Sequence, residues 1–231
     1  MTPLVLLPGM MCDARLFAPQ IAAFGGARAV HLAPITNHDT TLALAAEVLA
    51  HAPPRFALAG LSMGGIVAME VLAQAPDRIA ALALLDTNPR AELAQVKAGR
   101  GPQMDLVQAG RLREVMAGQM IPNYLPEGVE DAAIRDLCLQ MAMDLGPDVF
   151  LRQSRALRDR PDRQDVLRGV RVPTLILCGQ QDRLCPVERH QLMHELIPGS
   201  RLVVLEDAGH LPVLEKPDET NAALARWLEE T

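Results

Sequence analysis

The amino-acid sequence predicts an α/β fold, in which a mostly parallel sheet carries helices on both faces. Two observations predict it. Short runs of apolar residues recur without the polar alternation of a half-exposed sheet, as expected for strands that are buried on both faces. Helical patterns follow these runs in turn, which favours parallel strands joined by crossover helices. With 231 residues, the chain is long enough for one domain, or for one domain with an insertion.

Strands and helices alternate in the first 87 residues and again after residue 168. The predicted strands span residues 4–7, 29–32, 55–59, 79–85, 174–178 and 202–205. The stretches between and after them predict helices at residues 13–24, 41–51, 66–75, 186–197 and 217–230. Pro76 closes the third of these helices, because proline cannot continue a helix.

Residues 88–168 interrupt this alternation. They contain helical patterns broken by Gly-Pro and Pro residues, without a convincing strand. We therefore predict an α/β core of residues 1–87 and 169–231 and a helical insertion of residues 88–168. Five methionines lie in the insertion, at Met104, Met116, Met120, Met141 and Met143. They fit a flexible apolar surface that adapts to a ligand, and they fit ordinary core filling equally well.

Charge and hydropathy argue against several classes of partner. The formal net charge of −6 disfavours binding to nucleic acid or to an anionic membrane surface. No apolar run approaches the roughly 20 residues of a membrane span. The N-terminal apolar run lacks basic residues and is interrupted at Pro8, unlike a secretory signal. We expect a soluble cytoplasmic protein, and the sequence does not predict its oligomeric state.

The four cysteines predict neither a metal site nor a disulfide framework. Cys12, Cys138, Cys178 and Cys185 lack the paired spacing of such sites. We interpret them as free thiols. A local disulfide between Cys178 and Cys185 is the alternative, because these two residues flank one loop.

The most informative motif is the Gly-x-Ser-x-Gly sequence at residues 60–64, with Ser62 at its centre. A predicted strand precedes it and a predicted helix follows it. This context is typical of a nucleophile elbow, in which a strained turn lifts the serine hydroxyl clear of the sheet. The glycines two residues before and after Ser62 allow strand and helix to pass closely. An exposed serine in a plain glycine turn is the simpler alternative.

A serine nucleophile needs a base, and the base needs a group that orients it. Asp182 follows the strand at residues 174–178, and His210 follows the strand at residues 202–205. The order Ser62, Asp182, His210 is that of serine, acid and histidine in hydrolases of this type. Asp86, at the end of the strand at residues 79–85, is the rival acid. Glu206 and Asp207 also lie near His210, and we interpret them as turn residues.

Only His210 among the six histidines follows a strand that comes after the acid. His190 and His194 are four residues apart on a predicted helix, so they share a helix face and could bind a metal. They lack a His-Glu-x-x-His pattern and a third ligand. We therefore interpret them as surface histidines.

The oxyanion of an acyl-transfer reaction needs two preorganised donors. We expect the backbone N–H of Met63, directly after the nucleophile, to be one of them. The loop after the first strand should supply the other, and Gly9 allows that loop to turn toward the site. The Met10 N–H is the candidate, and a plain turn at Pro8-Gly9 is the alternative.

These motifs together resemble the α/β-hydrolase superfamily over nearly the whole chain. The resemblance rests on Leu-Leu-Pro-Gly at 6–9, Gly-Leu-Ser-Met-Gly-Gly at 60–65, residues 173–182 and Gly-His-Leu-Pro at 209–212. Residues 172–231 look like the esterase, enol-lactonase and perhydrolase branch. The serine argues against the dehalogenase and epoxide-hydrolase branches, which use an aspartate at the elbow.

The resemblance also implies several structural features. Residues 88–168 would cap the active site, and the sheet would be trimmed at its N-terminus to about six strands, all parallel, because the chain opens directly on a parallel strand. Family members usually carry His-Gly at the oxyanion loop, where this chain has Pro8-Gly9. Donation from the backbone should survive that difference.

We therefore predict a serine hydrolase that acts on a small or medium carboxylic ester, with neither metal nor organic cofactor. A lactone, a thioester or a carbon–carbon bond could be cleaved by the same three residues, so these substrates stay open. A non-catalytic ligand-binding protein on the same fold is the alternative from another class.

Overall fold

The computed structural model describes residues 1–230, which form one six-stranded sheet with helices around it. The strands are β1 Leu4–Leu7, β2 Val30–Leu32, β3 Phe56–Leu61, β4 Ile79–Leu85, β5 Thr174–Gly179 and β6 Arg201–Leu205. They lie in the order β2-β1-β3-β4-β5-β6, and every neighbouring pair is parallel. The predicted fold class, with six parallel strands, is confirmed.

Burial explains why the strands read as continuous apolar runs. Every residue of β1, β3, β4 and β5 is buried. The edge strands β2 and β6 contain only half-buried and exposed residues, because each has a neighbour on one side alone. The central four strands therefore form the middle of the hydrophobic core.

Ten α-helices occur within residues 1–230. They are α1 Ala18–Phe24, α2 Thr41–His51, α3 Met63–Gln74, α4 Ala94–Gln108, α5 Leu112–Val115, α6 Ala132–Arg158, α7 Gln164–Arg168, α8 Val187–Leu196, α9 Pro212–Glu215 and α10 Pro217–Leu228. Helix α2 packs against α3, whereas α1 packs against α10. The connection from β1 through α1 to β2 runs one way across the sheet, and the connections through α2 and α3 run the other way. Right-handed crossovers therefore place α1 on the face opposite α2 and α3.

The chain between β4 and β5 is helical throughout its regular structure. Helices α4 to α7 lie there, and the described residues contain no strand between Leu85 and Thr174. Helix α6 is broken at Gly146, which has φ 81° and ψ 175° and precedes Pro147. Met116 and Met141 are buried, and Met143 is exposed, so part of the methionine set fills the core.

No helix within residues 1–230 is both long enough and apolar enough to cross a membrane.

The loops after β1, β3, β4, β5 and β6 all leave the sheet at its carboxyl edge, because the strands are parallel. In open α/β sheets this edge is where ligands bind.

Candidate active site

Ser62 occupies a strained turn between β3 and α3. Its φ is 55° and its ψ is −116°, a combination that non-glycine residues rarely adopt. Two glycines make the turn possible. A Cβ on Gly60 would lie 2.3 Å from the carbonyl oxygen of Gly64, and a Cβ on Gly64 would lie 2.0 Å from that of Leu7. The motif therefore excludes larger residues at both positions by direct contact with backbone.

A continuous chain of hydrogen bonds links Ser62, His210 and Asp182. The Oγ of Ser62 lies 2.9 Å from Nε2 of His210. On the other side of the ring, Nδ1 of His210 lies 2.8 Å from Oδ2 of Asp182. His210 and Asp182 are both buried. In this arrangement the imidazole can take a proton from the serine while the carboxylate holds the ring and stabilises its charged form.

The loop after β5 holds Asp182 as a carboxylate. Its Oδ1 accepts hydrogen bonds from the backbone N–H of Leu184 at 2.8 Å and of Cys185 at 3.0 Å. Burial acts to raise the pKa of Asp182, but the attraction and hydrogen bond of His210, together with these N–H groups, lower it below its usual value. Asp182 is therefore ionised at neutral pH.

Asp86, the rival acid, lies at the end of β4 with φ 41° and is completely buried. Its Oδ1 accepts from the N–H of Gly179 at 2.9 Å, and its Oδ2 has no hydrogen-bond donor within residues 1–230. Burial and the nearby Asp182 carboxylate raise the pKa of Asp86 well above its usual range. A neutral Asp86 can donate a proton from Oδ2 toward Asp182, which accounts for the missing donor. It makes no hydrogen bond to His210.

Glu215 and Tyr124, which the sequence reasoning missed, hold the loop that carries His210. The two carboxylate oxygens of Glu215 accept from the N–H groups of Gly209 and Leu211, each at 2.8 Å. The N–H of His210 itself donates to the carbonyl of Tyr124 at 2.7 Å. The one sequence signal for the bonds of Glu215 to Gly209 and Leu211 is its position, five residues after His210. The predicted turn residues Glu206 and Asp207 lie in an exposed turn.

The loop after β1 lies directly against the elbow. A Cβ on Gly9 would lie 3.6 Å from the Cβ of Ser62. The N–H of Met11 donates to Oε1 of Gln153 at 2.8 Å, whereas the described residues provide no acceptor for the Met10 N–H. Met63 is the first residue of α3, where N–H groups lack partners within the helix. Gln153, in α6, is a third residue whose contact with the site the sequence did not reveal.

The interpretation of His190 as a surface residue is wrong, because this side chain is fully buried. Its Nε2 accepts from the N–H of Thr87 at 3.0 Å, and burial lowers its pKa to about 4. His194 is exposed, and its Nδ1 lies 2.8 Å from the Oγ of Ser200. The two histidines therefore do not share one environment, although they share a helix.

All four cysteines are free thiols.

Cys185 belongs to the one group of potential metal ligands within residues 1–230. Its sulfur and the ligand atoms of Asp182 and His210 lie within 4.8 Å of one another. Burial and nearby carboxylates raise the pKa of the Cys185 thiol well above its usual value, whereas a metal needs the thiolate. Because Asp182 and His210 already bind each other, the group suits a metal poorly.

Ser62 and His210 open into a cavity of about 340 Å³, within the usual range for small-molecule sites. Its lining combines the loop after β1, the elbow, and the segments that carry Asp182 and His210, with part of the chain between β4 and β5. The latter contributes Leu93, Met120 and Tyr124, among others. Most of the surface is apolar, and several arginines complete it.

A family model described as the alpha/beta hydrolase family matches residues 4–223. The chain belongs to the α/β hydrolase family. The resemblance drawn from the sequence motifs is thus confirmed, and so is the α/β-hydrolase fold.

Curated relatives cover nearly the full chain. The pimeloyl-[acyl-carrier protein] methyl ester esterase of Aeromonas hydrophila subsp. hydrophila is 30% identical, across 94% of this chain and 91% of the relative. The enzyme with the same name from Xanthomonas oryzae pv. oryzae is 27% identical, across 97% of this chain and 94% of the relative.

Solved structures agree with this assignment. A thermophilic esterase from Thermogutta terrifontis superposes with a TM-score of 0.91 at 29% identity, covering 100% of this chain and 91% of that one. An enol-lactonase from Burkholderia xenovorans has a TM-score of 0.88 at 22% identity, covering 100% and 92%, and this likeness concerns the fold alone. The predicted enzyme class, a carboxylic ester hydrolase, is consistent with the esterases among these relatives.

Proposed function

We propose that the protein is a serine hydrolase that cleaves a small or medium carboxylic ester through a covalent acyl-enzyme. The observation that carries the proposal is the hydrogen-bonded chain Ser62–His210–Asp182, whose serine and histidine line the cavity. Relatives named as methyl ester esterases support an ester rather than a lactone, a thioester or a carbon–carbon bond.

In the proposed mechanism, His210 removes the proton of Ser62 as the serine oxygen attacks the ester carbonyl. The imidazolium that forms is stabilised by ionised Asp182. His210 then protonates the departing alcohol, leaving an acyl group on Ser62. Water, activated by His210 in the same way, releases the acid and restores the serine.

We propose the backbone N–H groups of Met10 and Met63 as the oxyanion hole. Both residues line the cavity beside Ser62. Gln153 supports this assignment, because it accepts from the N–H of Met11 and donates to the carbonyl of Ile35 at 2.9 Å. These two bonds hold the loop in one position, as preorganised donors require.

We further propose that residues 88–168 act as a cap over the site. Leu93, Met120 and Tyr124 from this segment line the cavity. The 2.7 Å bond from the His210 N–H to the Tyr124 carbonyl supports close docking of the segment on the catalytic loop.

The decisive experiment compares Ser62→Ala with Ser200→Ala. Ser200 is a matched control, because its hydroxyl also lies 2.8 Å from a histidine nitrogen but outside the cavity. We expect Ser62→Ala to lose hydrolysis of p-nitrophenyl butyrate and labelling by a fluorophosphonate, and Ser200→Ala to keep both. Full activity of Ser62→Ala would refute the proposed function.

A further inference from the structure

Positive charge is concentrated in the cavity that contains Ser62. Four arginines line it, Arg100, Arg160, Arg183 and Arg189, and Glu92 is the one acidic residue that does. The whole chain carries a net charge of −6, so this local excess runs against the overall balance. A cavity lined by one sign of charge attracts ligands of the opposite sign.

Two of these arginines share a single carboxylate. The Nε of Arg100 donates to Oε2 of Glu92 at 2.5 Å, and Nη1 of Arg160 donates to Oε1 at 2.6 Å. All three side chains are at most 12% exposed. One negative charge therefore faces two positive charges that are largely shielded from solvent, and one positive charge stays uncompensated.

Donor groups remain available on both arginines. Within residues 1–230, the two terminal nitrogens of Arg100 and Nη2 of Arg160 have no protein acceptor. The terminal nitrogens of a guanidinium form a planar fork that matches a carboxylate. Burial lowers the pKa of Arg160 although Glu92 acts to raise it, as expected for a cation with too little counter-charge.

The other two arginines differ in their contacts. Arg183 donates to the carbonyls of Pro122 and Leu125, which carry no net charge. Arg189 is half-buried and forms no ion pair within residues 1–230. Both therefore add to the positive potential of the cavity without being neutralised.

We propose that Arg100 and Arg160 bind an ionised carboxylate of the substrate, so that the substrate is a half-ester of a dicarboxylic acid. This inference rests on the proposed function, because it assumes that Ser62 attacks an ester in the same cavity. Glu92 holds the two guanidiniums side by side, and the substrate carboxylate supplies the missing negative charge. The ester group then lies toward Ser62.

The test uses pairs of esters that differ only in charge. Mono-p-nitrophenyl glutarate, adipate and pimelate are compared with the same compounds methylated at the free carboxylate. For at least one chain length, we expect kcat/KM of the wild type to be at least tenfold higher for the anionic ester. A ratio at or below one at all three lengths would overturn the inference.

Two variants move the ratio in opposite directions. Arg100→Gln should lower the anionic-to-neutral ratio at least tenfold, whereas Glu92→Gln should raise it, because it removes the competing carboxylate. Arg113→Gln is the control, since Arg113 is exposed on α5 and lies outside the cavity. An unchanged ratio in Arg100→Gln would contradict the site.

Inhibition of the wild type keeps the test independent of how the variants fold. We expect hexanoate to inhibit hydrolysis of a neutral ester at least tenfold more strongly than hexanamide, which has the same chain length without the charge, and equal inhibition would count against the site. Ser62→Ala separates this inference from the proposed function. If Ser62→Ala hydrolyses both esters, the proposed function fails; if Ser62 is essential and the ratio is one, only the carboxylate site fails.

Discussion

Replacement of Asp182 by asparagine tests the acid of the site, because the surrounding hydrogen bonds dictate how the new amide must sit. Two backbone N–H groups, of Leu184 and Cys185, donate to Oδ1. The asparagine oxygen therefore stays there, and its NH₂ group takes the place of Oδ2 beside Nδ1 of His210. Nδ1 must then accept, so the ring proton moves to Nε2 and faces the Ser62 hydroxyl. In that tautomer His210 cannot take the serine proton.

The expected loss is large. The same change of tautomer costs about 10⁴ in kcat in serine proteases with this triad. At about 1.4 kcal/mol for each factor of ten, that corresponds to roughly 5 kcal/mol of transition-state stabilisation. The assay is steady-state hydrolysis of p-nitrophenyl butyrate, with circular dichroism to check that Asp182→Asn is folded.

Asp86→Asn is the matched control, since Asp86 is buried one strand away from Asp182. An asparagine there keeps the bond from Gly179, and its NH₂ group takes the place of Oδ2 in a carboxyl whose pKa is raised by burial. We expect kcat to stay within about threefold of the wild type, a loss below 1 kcal/mol. If Asp86→Asn loses about 10⁴ and Asp182→Asn does not, the acid is Asp86 and this reasoning is refuted.

The two variants should also differ in how stability depends on pH. The pKa of Asp182 is lowered by folding, so its contribution to stability is present above about pH 4 and is lost as the pH falls. The pKa of Asp86 is raised, so its contribution is lost as the pH rises above about 4. Urea unfolding at several pH values measures the difference in free energy of unfolding between the wild type and each variant. The difference from Asp182→Asn should shrink as the pH falls, whereas the difference from Asp86→Asn should shrink as the pH rises.

Three further predictions concern the elbow, the histidine loop and a buried histidine. Gly64→Ala should abolish activity and lower the free energy of unfolding by several kcal/mol, since the new methyl group collides with backbone; Gly99→Ala, a helix position with open space, should instead stabilise by about 0.5–1 kcal/mol. Glu215→Gln keeps only one of the two bonds that flank His210, so kcat should fall about tenfold with KM little changed. His190 has a folded pKa of about 4, below the unfolded value of about 6.5, so its contribution is present above pH 6.5 and lost toward pH 4. Urea unfolding should show that the difference in free energy of unfolding between the wild type and His190→Gln shrinks by about 3 kcal/mol from pH 6.5 to pH 4. A constant difference would contradict the burial of His190 in its neutral form.

Sequence patterns alone indicated most of the fold. Strand bounds agree to within two residues because buried parallel strands are continuous apolar runs, and β1 and β4 agree without any shift. The elbow was recognisable because its strand, turn and helix follow one another in sequence, and one of its two glycine contacts, between Gly60 and Gly64, lies within the turn itself. The serine–acid–histidine order was readable for a similar reason, since each residue lies on the turn or loop after a strand, at one edge of the sheet.

Tertiary structure alone decided which groups meet. Asp86 and Asp182 both follow neighbouring strands, and only the folded chain brings Asp182 to 2.8 Å from His210 and buries Asp86 without a hydrogen bond to that histidine. Glu92 and Arg160 lie 68 residues apart, so no local pattern reveals their contact. Periodicity reports which face of an element is apolar, but burial of a polar side chain and the charge of a cavity depend on contacts between distant segments.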